Sequence, residues 1–434
     1  MKRALLIAAC VATRALADEA TWRTWNSECA ALQKAGRYSD ALEACEHALD
    51  LARDSFPADH SYLAIALNNA AEVERALACY VEATALYEEA RTILEKAGPS
   101  EALARLLGNL GELLRAQERL ADAEPYYVRA LLLLDELAIH NEGRAIVMVN
   151  QGHLHKALGR LEEAESGYRR ALDLEVRVLP RGHPSVASTM SYLANLALDR
   201  GELDESVSLF SQLLEVQLRA QHGRAHPELG AAYRNLAKAY RARGSIKDAI
   251  HYQHHAAAVL EQVFGKEHVR VAGELESLGE LYIQAAQYKD AQEVLERALT
   301  VFDRDNPRGM NVATTAMRLA EAFFEGNRLK EAELLANRAI GLFARMMPEA
   351  WGDAITAKSI LATALFSQGR TEESLRITMS IIDELEQKPD VQREVLTTSY
   401  DNAAAALAKL GRVEESRAMI LRRNRVLGEG FPKS

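Results

Sequence analysis

Small residues recur along this chain with a long, fixed period. Segments such as Gly36-Arg37-Tyr38-Ser39-Asp40-Ala41, Gly159-Arg160-Leu161-Glu162-Glu163-Ala164 and Gly369-Arg370-Thr371-Glu372-Glu373-Ser374 share a glycine and, five residues later, a small residue; two residues after the glycine the first two carry an apolar side chain. Aligned on that last residue, the pattern falls at Ala41, Ala83, Ala123, Ala164, Ser206, Ala249, Ala291, Ala332, Ser374 and Ser416, at intervals of 40 to 43 residues. A second small position lies twelve residues earlier in every copy: Cys29, Ala71, Gly111, Gly152, Ala194, Ala237, Gly279, Ala320, Ala362 and Ala404. A third, seven residues after the anchor, is Ala in seven of the ten copies. Small residues at i and i+7 on one helix, facing a small residue on another, let two antiparallel helices approach backbone to backbone. Larger residues such as Tyr87, Tyr127, Tyr168 and Phe210, four after the anchor, seal the flanks. Eight of the ten prolines fall between the second helix of one copy and the first of the next, where Pro ends a helix without breaking one. The pattern predicts an all-α chain of ten helix-turn-helix units.

The three small positions, the turn glycine, the Tyr or Leu two residues beyond it and the proline between copies resemble the tetratricopeptide repeat (TPR) family, over residues 22–425. The period near 42 exceeds that family's usual 34 and is similar to the longer repeats of kinesin light chains and their bacterial relatives. Arg181-Gly182-His183-Pro184, Arg224-Ala225-His226-Pro227, Ala194-Asn195-Leu196-Ala197 and Asn235-Leu236-Ala237 strengthen that comparison. The resemblance implies a right-handed superhelical solenoid of about ten tetratricopeptide-like helix-turn-helix repeats, with the first helices lining a concave groove that holds a protein or extended peptide.

Composition narrows the partner. A formal charge of -10 argues against a general polyanion-binding role, so no nucleic-acid partner is expected. No apolar run of 18 or more residues exists, so no transmembrane segment is expected. The first residues follow another logic: Lys2 and Arg3 precede the apolar run Ala4–Ala12, and Ala15-Leu16-Ala17 supplies a small-x-small cleavage pattern. Residues 1–17 therefore read as a secretory signal peptide, leaving the repeat array over 18–425 and a tail over 426–434. The competing readings are a retained N-terminal helix, which would make the chain a cytoplasmic adaptor or sensor, and a lipid anchor at Cys10, which ends the lipobox-like Ile7-Ala8-Ala9-Cys10 but has few residues before it. The first reading is preferred, with a periodic consequence for location: periplasmic or secreted. Cys29, Cys45 and Cys79 form no C-x-x-C pair and read as small core residues; in an oxidising compartment Cys29 and Cys45, on facing helices of the first unit, would bridge if their Cα atoms lie within about 7 Å.

Candidate chemistry is sparse. None of the common nucleophile, metalloprotease, P-loop or dinucleotide motifs is present, so neither an enzyme nor a cofactor is expected. His60, His183, His226 and His268 each lie 23 residues before an anchor and read as helix-entry caps. His251 and His255 have the i, i+4 spacing of a metal pair but fall on the outer face of a second helix, which makes them weak candidates for a metal-binding alternative. The groove is the favoured site. Two residues before the small position of the first helix stand Asn69, Asn109, Asn150 and Asn235, whose amides both donate and accept and so suit a peptide backbone. Around them Arg105, Arg115, His153, Lys156, Arg234, Lys238 and Arg241 are expected to take the carboxylates of an acidic or C-terminal peptide; capping for the Asn and plain solvation for the charges are the simpler alternatives. Later copies carry Glu276, Glu280, Glu321 and Glu325 at comparable positions, so the face is expected to be polarised.

Overall fold

The computed structural model describes residues 2–180, 182–346, 348–388 and 393–428, with side chains from residue 18 onward. The side chains of the leader-like residues 1–17, Cys10 among them, and Arg181, Pro389 and tail residues 429–434 lie outside what it describes. Among the described residues there are twenty α-helices and no strand, grouped in two compact units, Met1–Leu209 and Phe210–Ser434. The first unit runs through α1 (Lys2–Lys34), α2 (Tyr38–Ser55), α3 (Ser61–Ala76), α4 (Tyr80–Ala97), α5 (Glu101–Ala116), α6 (Leu120–Glu136), α7 (Glu142–Ala157), α8 (Leu161–Val178) and α9 (Pro184–Asp199) into α10 (Leu203–Ala220). The second continues from α10 through α11 (Pro227–Ala242), α12 (Ile246–Phe264), α13 (Val269–Gln284), α14 (Tyr288–Asp305), α15 (Met310–Glu325), α16 (Leu329–Phe343), α17 (Trp351–Ser367), α18 (Thr371–Glu386), α19 (Arg393–Lys409) and α20 (Val413–Leu427).

The small-residue framework forms the seam of each pair. In the three copies whose anchor is Ser, the hydroxyl donates to the backbone carbonyl of the small residue on the partner helix: Ser206 to Ala194 at 2.9 Å, Ser374 to Ala362 at 2.7 Å and Ser416 to Ala404 at 2.9 Å. A side chain of one carbon and one oxygen spans the gap, which is the close approach the spacing predicts. Where the facing position is glycine, a large side chain lies on it: a Cβ added at Gly152 would stand 2.5 Å from the Tyr168 ring. The turn inside every pair has left-handed backbone five residues before the anchor. Glycine fills it at Gly36, Gly159, Gly201, Gly244, Gly369 and Gly411, while Ala78, Glu118, Ala286 and Asn327 adopt it with a side chain present.

Helix entries follow the histidine register. His60, His183, His226 and His268 are N-caps, each accepting through Nδ1 from the backbone N–H two residues on, at 3.1 to 3.3 Å. Within the units, first helices of successive pairs approach one another, α1, α3, α5 and α7 in one and α13, α15, α17 and α19 in the other, and so form an inner layer. Ion pairs tie successive second helices, for example Arg53 to Glu89 at 2.9 Å and Arg129 to Glu95 at 2.8 Å.

The cysteine expectations divide, with the conditional bridge formed and the third thiol outside the core. Cys29 and Cys45 are buried and joined by a disulfide across α1 and α2, with Cα atoms 5.2 Å apart, so they are more than packing residues. Cys79 is an exposed free thiol, not a core residue, because it caps α4 directly after the left-handed turn at Ala78. On α20, Arg422 and Arg423 turn back to Glu386 and Asp401, at 3.6 and 2.7 Å, while Val413, Ile420, Leu421 and Leu427 are exposed.

Candidate functional site

In the first unit the asparagine register does form a ladder, and part of it is already satisfied. Asn69 donates to Asn26 at 2.8 Å, Asn68 to Asn69 at 3.3 Å, and Asn109 to Asn68 at 3.0 Å, so carboxamides run from α1 across α3 to α5. Gln33 adds a bond to the main-chain oxygen of Asn69 at 2.9 Å. Asn150, at the equivalent place on α7, is half-buried and has no hydrogen-bond partner among the described residues. Beside it the Tyr168 hydroxyl meets His153 Nδ1 at 2.7 Å, and the His153 ring stands edge-on to the half-exposed Tyr192, centroids 4.5 Å apart. Burial, and then the nearby charge of Arg115, push the His153 pKa below its usual value, so the ring is neutral at pH 7 and fits as the acceptor.

The cations around the ladder are mostly engaged, against the expectation that they await a ligand. Arg115 grips Glu112 on its own helix at 2.5 and 3.0 Å, and the same carboxylate accepts from Tyr127 at 2.9 Å. Burial opposes ionisation of Glu112, but Arg115 and Tyr127 hold its pKa below the usual carboxylate range. The preceding pair repeats the arrangement with Glu72, Tyr87 and Arg75. Lys156 pairs with Asp199 at 2.6 Å. Among the described residues, Arg105 alone of the predicted cations in this unit is exposed without a partner. The glutamates one residue after the small position thus pin the tyrosines of the second helix; their equal spacing from Tyr87 and Tyr127, 15 residues, was the available signal.

In the second unit Asn235 is likewise half-buried and unpartnered among the described residues. Arg234 pairs at 2.7 Å with Glu274, a nearly buried carboxylate that also accepts from Gln253 at 2.8 Å. Arg241 and Arg318 both bond Glu280, while Lys238 is exposed and free among the described residues. A cleft of about 640 Å³ opens between α11 and α13, with Pro227, Ala231, Leu260 and Gly273 in its wall and Arg234 and Arg270 at its edges. At the position six before the small residue α11 and α13 have Ala231 and Gly273, where α3, α5 and α7 carry Ile65, Arg105 and Ile146. Further on, burial raises the pKa of Glu276 and of Glu321, the latter helped by the neighbouring Glu325, and Arg318 reaches both Glu276 and Glu280, so the acidic character expected of this stretch is partly neutralised.

The metal candidates do not gather a site. His251 and His255 are exposed, with ring centroids 4.7 Å apart, and no third ligand joins them among the described residues. One trio of ligand-type groups does meet, Glu124, His155 and Glu163, which the sequence reading missed because its members lie on three helices. Arg160 already bonds Glu124 there at 2.7 and 3.1 Å, so a cationic group fills the space between the carboxylates. No helix among the described residues is long and apolar enough to cross a membrane.

Comparison with known proteins agrees with this architecture. Residues 28–226 match the family described as the MalT-like TPR region, and residues 234–304 and 271–345 match the tetratricopeptide repeat. The apo form of RapI aligns over 90% of this chain and 98% of its own at 12% identity, with a TM-score of 0.60. The apo form of the quorum sensor NprR from B. thuringiensis aligns over 83% and 97% at 12% identity, with a TM-score of 0.50. A kinesin light chain with TPR-like repeats from Podosopora anserina aligns over 47% of this chain and 97% of its own at 22% identity, with a TM-score of 0.42. No curated protein matches the chain. With ten helix pairs on a period near 42 residues and the two repeat models matching in turn between residues 28 and 345, the chain belongs to the tetratricopeptide repeat family.

Proposed function

We propose that the chain is a non-enzymatic scaffold that holds an extended peptide or protein segment against its inner helix faces. The observation that carries this reading is the contrast along the asparagine register: Asn69 and Asn109 are spent on one another's neighbours, whereas Asn150 and Asn235 are half-buried with amides unpaired. A half-buried carboxamide without a protein partner keeps its donor and acceptor for a peptide backbone. The Tyr192 ring against His153, and the cleft lined by Arg234, the residue before Asn235, offer apolar contact on the same helices. The free cations Arg105 and Lys238 favour an acidic ligand, though fewer charges contribute than the full set of seven basic and histidine residues would. That a protein described as a quorum sensor shares this fold is in keeping with a ligand-holding role.

Export is part of the same proposal. The signal-like residues 1–17 would be removed after Ala17, and the Cys29–Cys45 disulfide supports an oxidising destination, periplasmic or extracellular, because such bonds persist there. Selection of a peptide library against the chain supplies the ligand, and Asn150→Ala with Asn235→Ala should then weaken binding tenfold or more while helicity stays unchanged. Undiminished affinity in that double variant would overturn the groove assignment, and a mature protein beginning at Met1 would overturn export.

A further inference from the structure

Three residues after the anchor, α12 carries Tyr252, whose ring stacks on Tyr240 with centroids 5.2 Å apart and on Tyr233 at 6.3 Å. Three rings therefore fill the space where α12 lies along α11. The next pair keeps only one of them. Tyr282 takes the place of Tyr240, but Leu275 stands for Tyr233 and Val294 for Tyr252, and among the described residues no ring or cation lies on Tyr282. A cavity of about 340 Å³ opens there between α12 and α14, with Leu275, Leu278, Tyr282 and Val294 in its wall.

The rim of this cavity is acidic. Asp290 and Glu293 line it without an ion-pair partner among the described residues, whereas the Arg297 guanidinium in the same wall is held by Glu261. Burial raises the Tyr282 pKa, and the charges of Asp290 and Glu293 add to the shift, which sets both carboxylates close to the ring hydroxyl. An acid in the first turn of a helix suits the dipole, and Asp290 belongs to such a series. In six other copies, however, that acid is gripped by an arginine three residues earlier, as Arg119 grips Asp122 at 2.8 Å. Helix α14 has Gln287 in that place, so Asp290 lacks the guanidinium its equivalents have.

We propose that this cavity binds an arginine side chain of a basic protein segment, its guanidinium stacked on Tyr282 as Tyr252 is on Tyr240, its N–H groups donating to Asp290 and Glu293. The planar cation gains from the ring face, the fork of donors matches the carboxylates, and the methylene stem covers Leu275, Leu278 and Val294. Lysine has the charge without the plane. On α13 the cavity uses Leu275, Leu278 and Tyr282, while the cleft beside Arg234 uses Gly273, Glu274 and Ser277 on another face, so the two sites are independent.

Methyl NMR of the full chain, labelled at leucine and valine, reads the cavity through Leu275, Leu278 and Val294. The peptide Ac-Gly-Arg-Gly-amide should shift these signals saturably, Ac-Gly-Lys-Gly-amide should bind at least fivefold more weakly, and the citrulline peptide, planar but neutral, should leave them unmoved. Free arginine brings a carboxylate to the acidic rim and should bind at least threefold more weakly than the peptide. Glu293→Gln, at an exposed site, should weaken the peptide at least fivefold with the helical signal unchanged, and Val294→Tyr, which restores the ring of the preceding pair, should abolish the shifts of Leu275 and Leu278. No shift up to about 20 mM peptide would overturn the proposal. So would shifts that survive Val294→Tyr, undiminished affinity in Glu293→Gln, lysine binding as tightly as arginine, or free arginine binding as tightly as the peptide.

Discussion

The Asn109 carboxamide donates to Asn68 of the preceding helix pair at 3.0 Å, and Asn68 is 5% exposed. The bond therefore satisfies a buried amide. Asn109→Ala should destabilise the first unit by about 1 to 2 kcal/mol, because the Asn68 side-chain oxygen loses its donor in a place water reaches poorly. Asn150→Ala, which breaks no bond, should leave stability within about 0.5 kcal/mol of wild type. Urea titrations of the two variants separate a structural asparagine from one held for a ligand; equal losses would erase that distinction.

The left-handed turns give a second comparison within one chain. Ala286 has φ of 55° at a position where Gly36, Gly159 and Gly244 stand in other copies. Ala286→Gly should stabilise the second unit by roughly 1 kcal/mol, since the Cβ strain of that conformation exceeds the entropy glycine loses. Gly159→Ala should cost a similar amount. Thermal melts check both signs, and a destabilising Ala286→Gly would mean the Ala286 side chain makes an unrecognised contact.

Gly152 faces Tyr168 so closely that an added methyl must displace the ring. Moving Tyr168 also strains its bond to His153 and the edge contact of His153 with Tyr192. Gly152→Ala is expected to cost about 1 to 3 kcal/mol despite the better helix propensity of Ala. The paired variant Gly152→Ala with Tyr168→Phe should recover little, because the ring and not its hydroxyl is in the way.

What was legible in advance is what repetition over-determines. Ten copies of one small-residue register admit one way of pairing helices, so turn positions, caps at His183 or His268, and the seam at Ser206 follow from spacing. Pairings of long side chains do not repeat in that way. Lys156 reaches Asp199 and Arg234 reaches Glu274 across about 40 residues, and whether two such side chains meet depends on rotamers and the angle between helices. For the same reason the basic stripe was visible in the sequence while its neutralisation was not. Cys79 was misread because its neighbours in sequence are apolar, though its position, one before a helix start, is a turn position.

Reduction tests the disulfide. It closes a loop of 16 residues between α1 and α2, for which chain-entropy models give about 3 kcal/mol. The loss should be local to the first pair, seen as faster amide exchange in α1 and α2 with little change in α5 or α7. Uniform destabilisation of both units by reductant would contradict that.

Glu175 occupies the interior position that is Leu94, Leu134 or Leu385 in other copies and is 2% exposed. One carboxylate oxygen accepts from Thr189 at 3.1 Å, and the other has no partner. Burial raises its pKa, with Thr189 opposing the shift, the charge of Glu142 adding to it and His183 opposing it. A carboxyl whose folded pKa lies above its unfolded value of 4.5 stabilises the fold most below 4.5, and that contribution is lost as pH rises through the folded value. Above that folded value the wild type carries a buried, half-satisfied charge. Glu175→Gln keeps an acceptor for Thr189 and removes the charge, so it should stabilise by about 1 kcal/mol at pH 7. The gain should shrink towards zero as pH falls below 4.5, where Glu175 becomes protonated in both states, and taking the difference between variant and wild type cancels the parallel effects of Glu276 and Glu321. A difference independent of pH, or larger at pH 4 than at pH 7, would show that Glu175 is not the ionised buried group described.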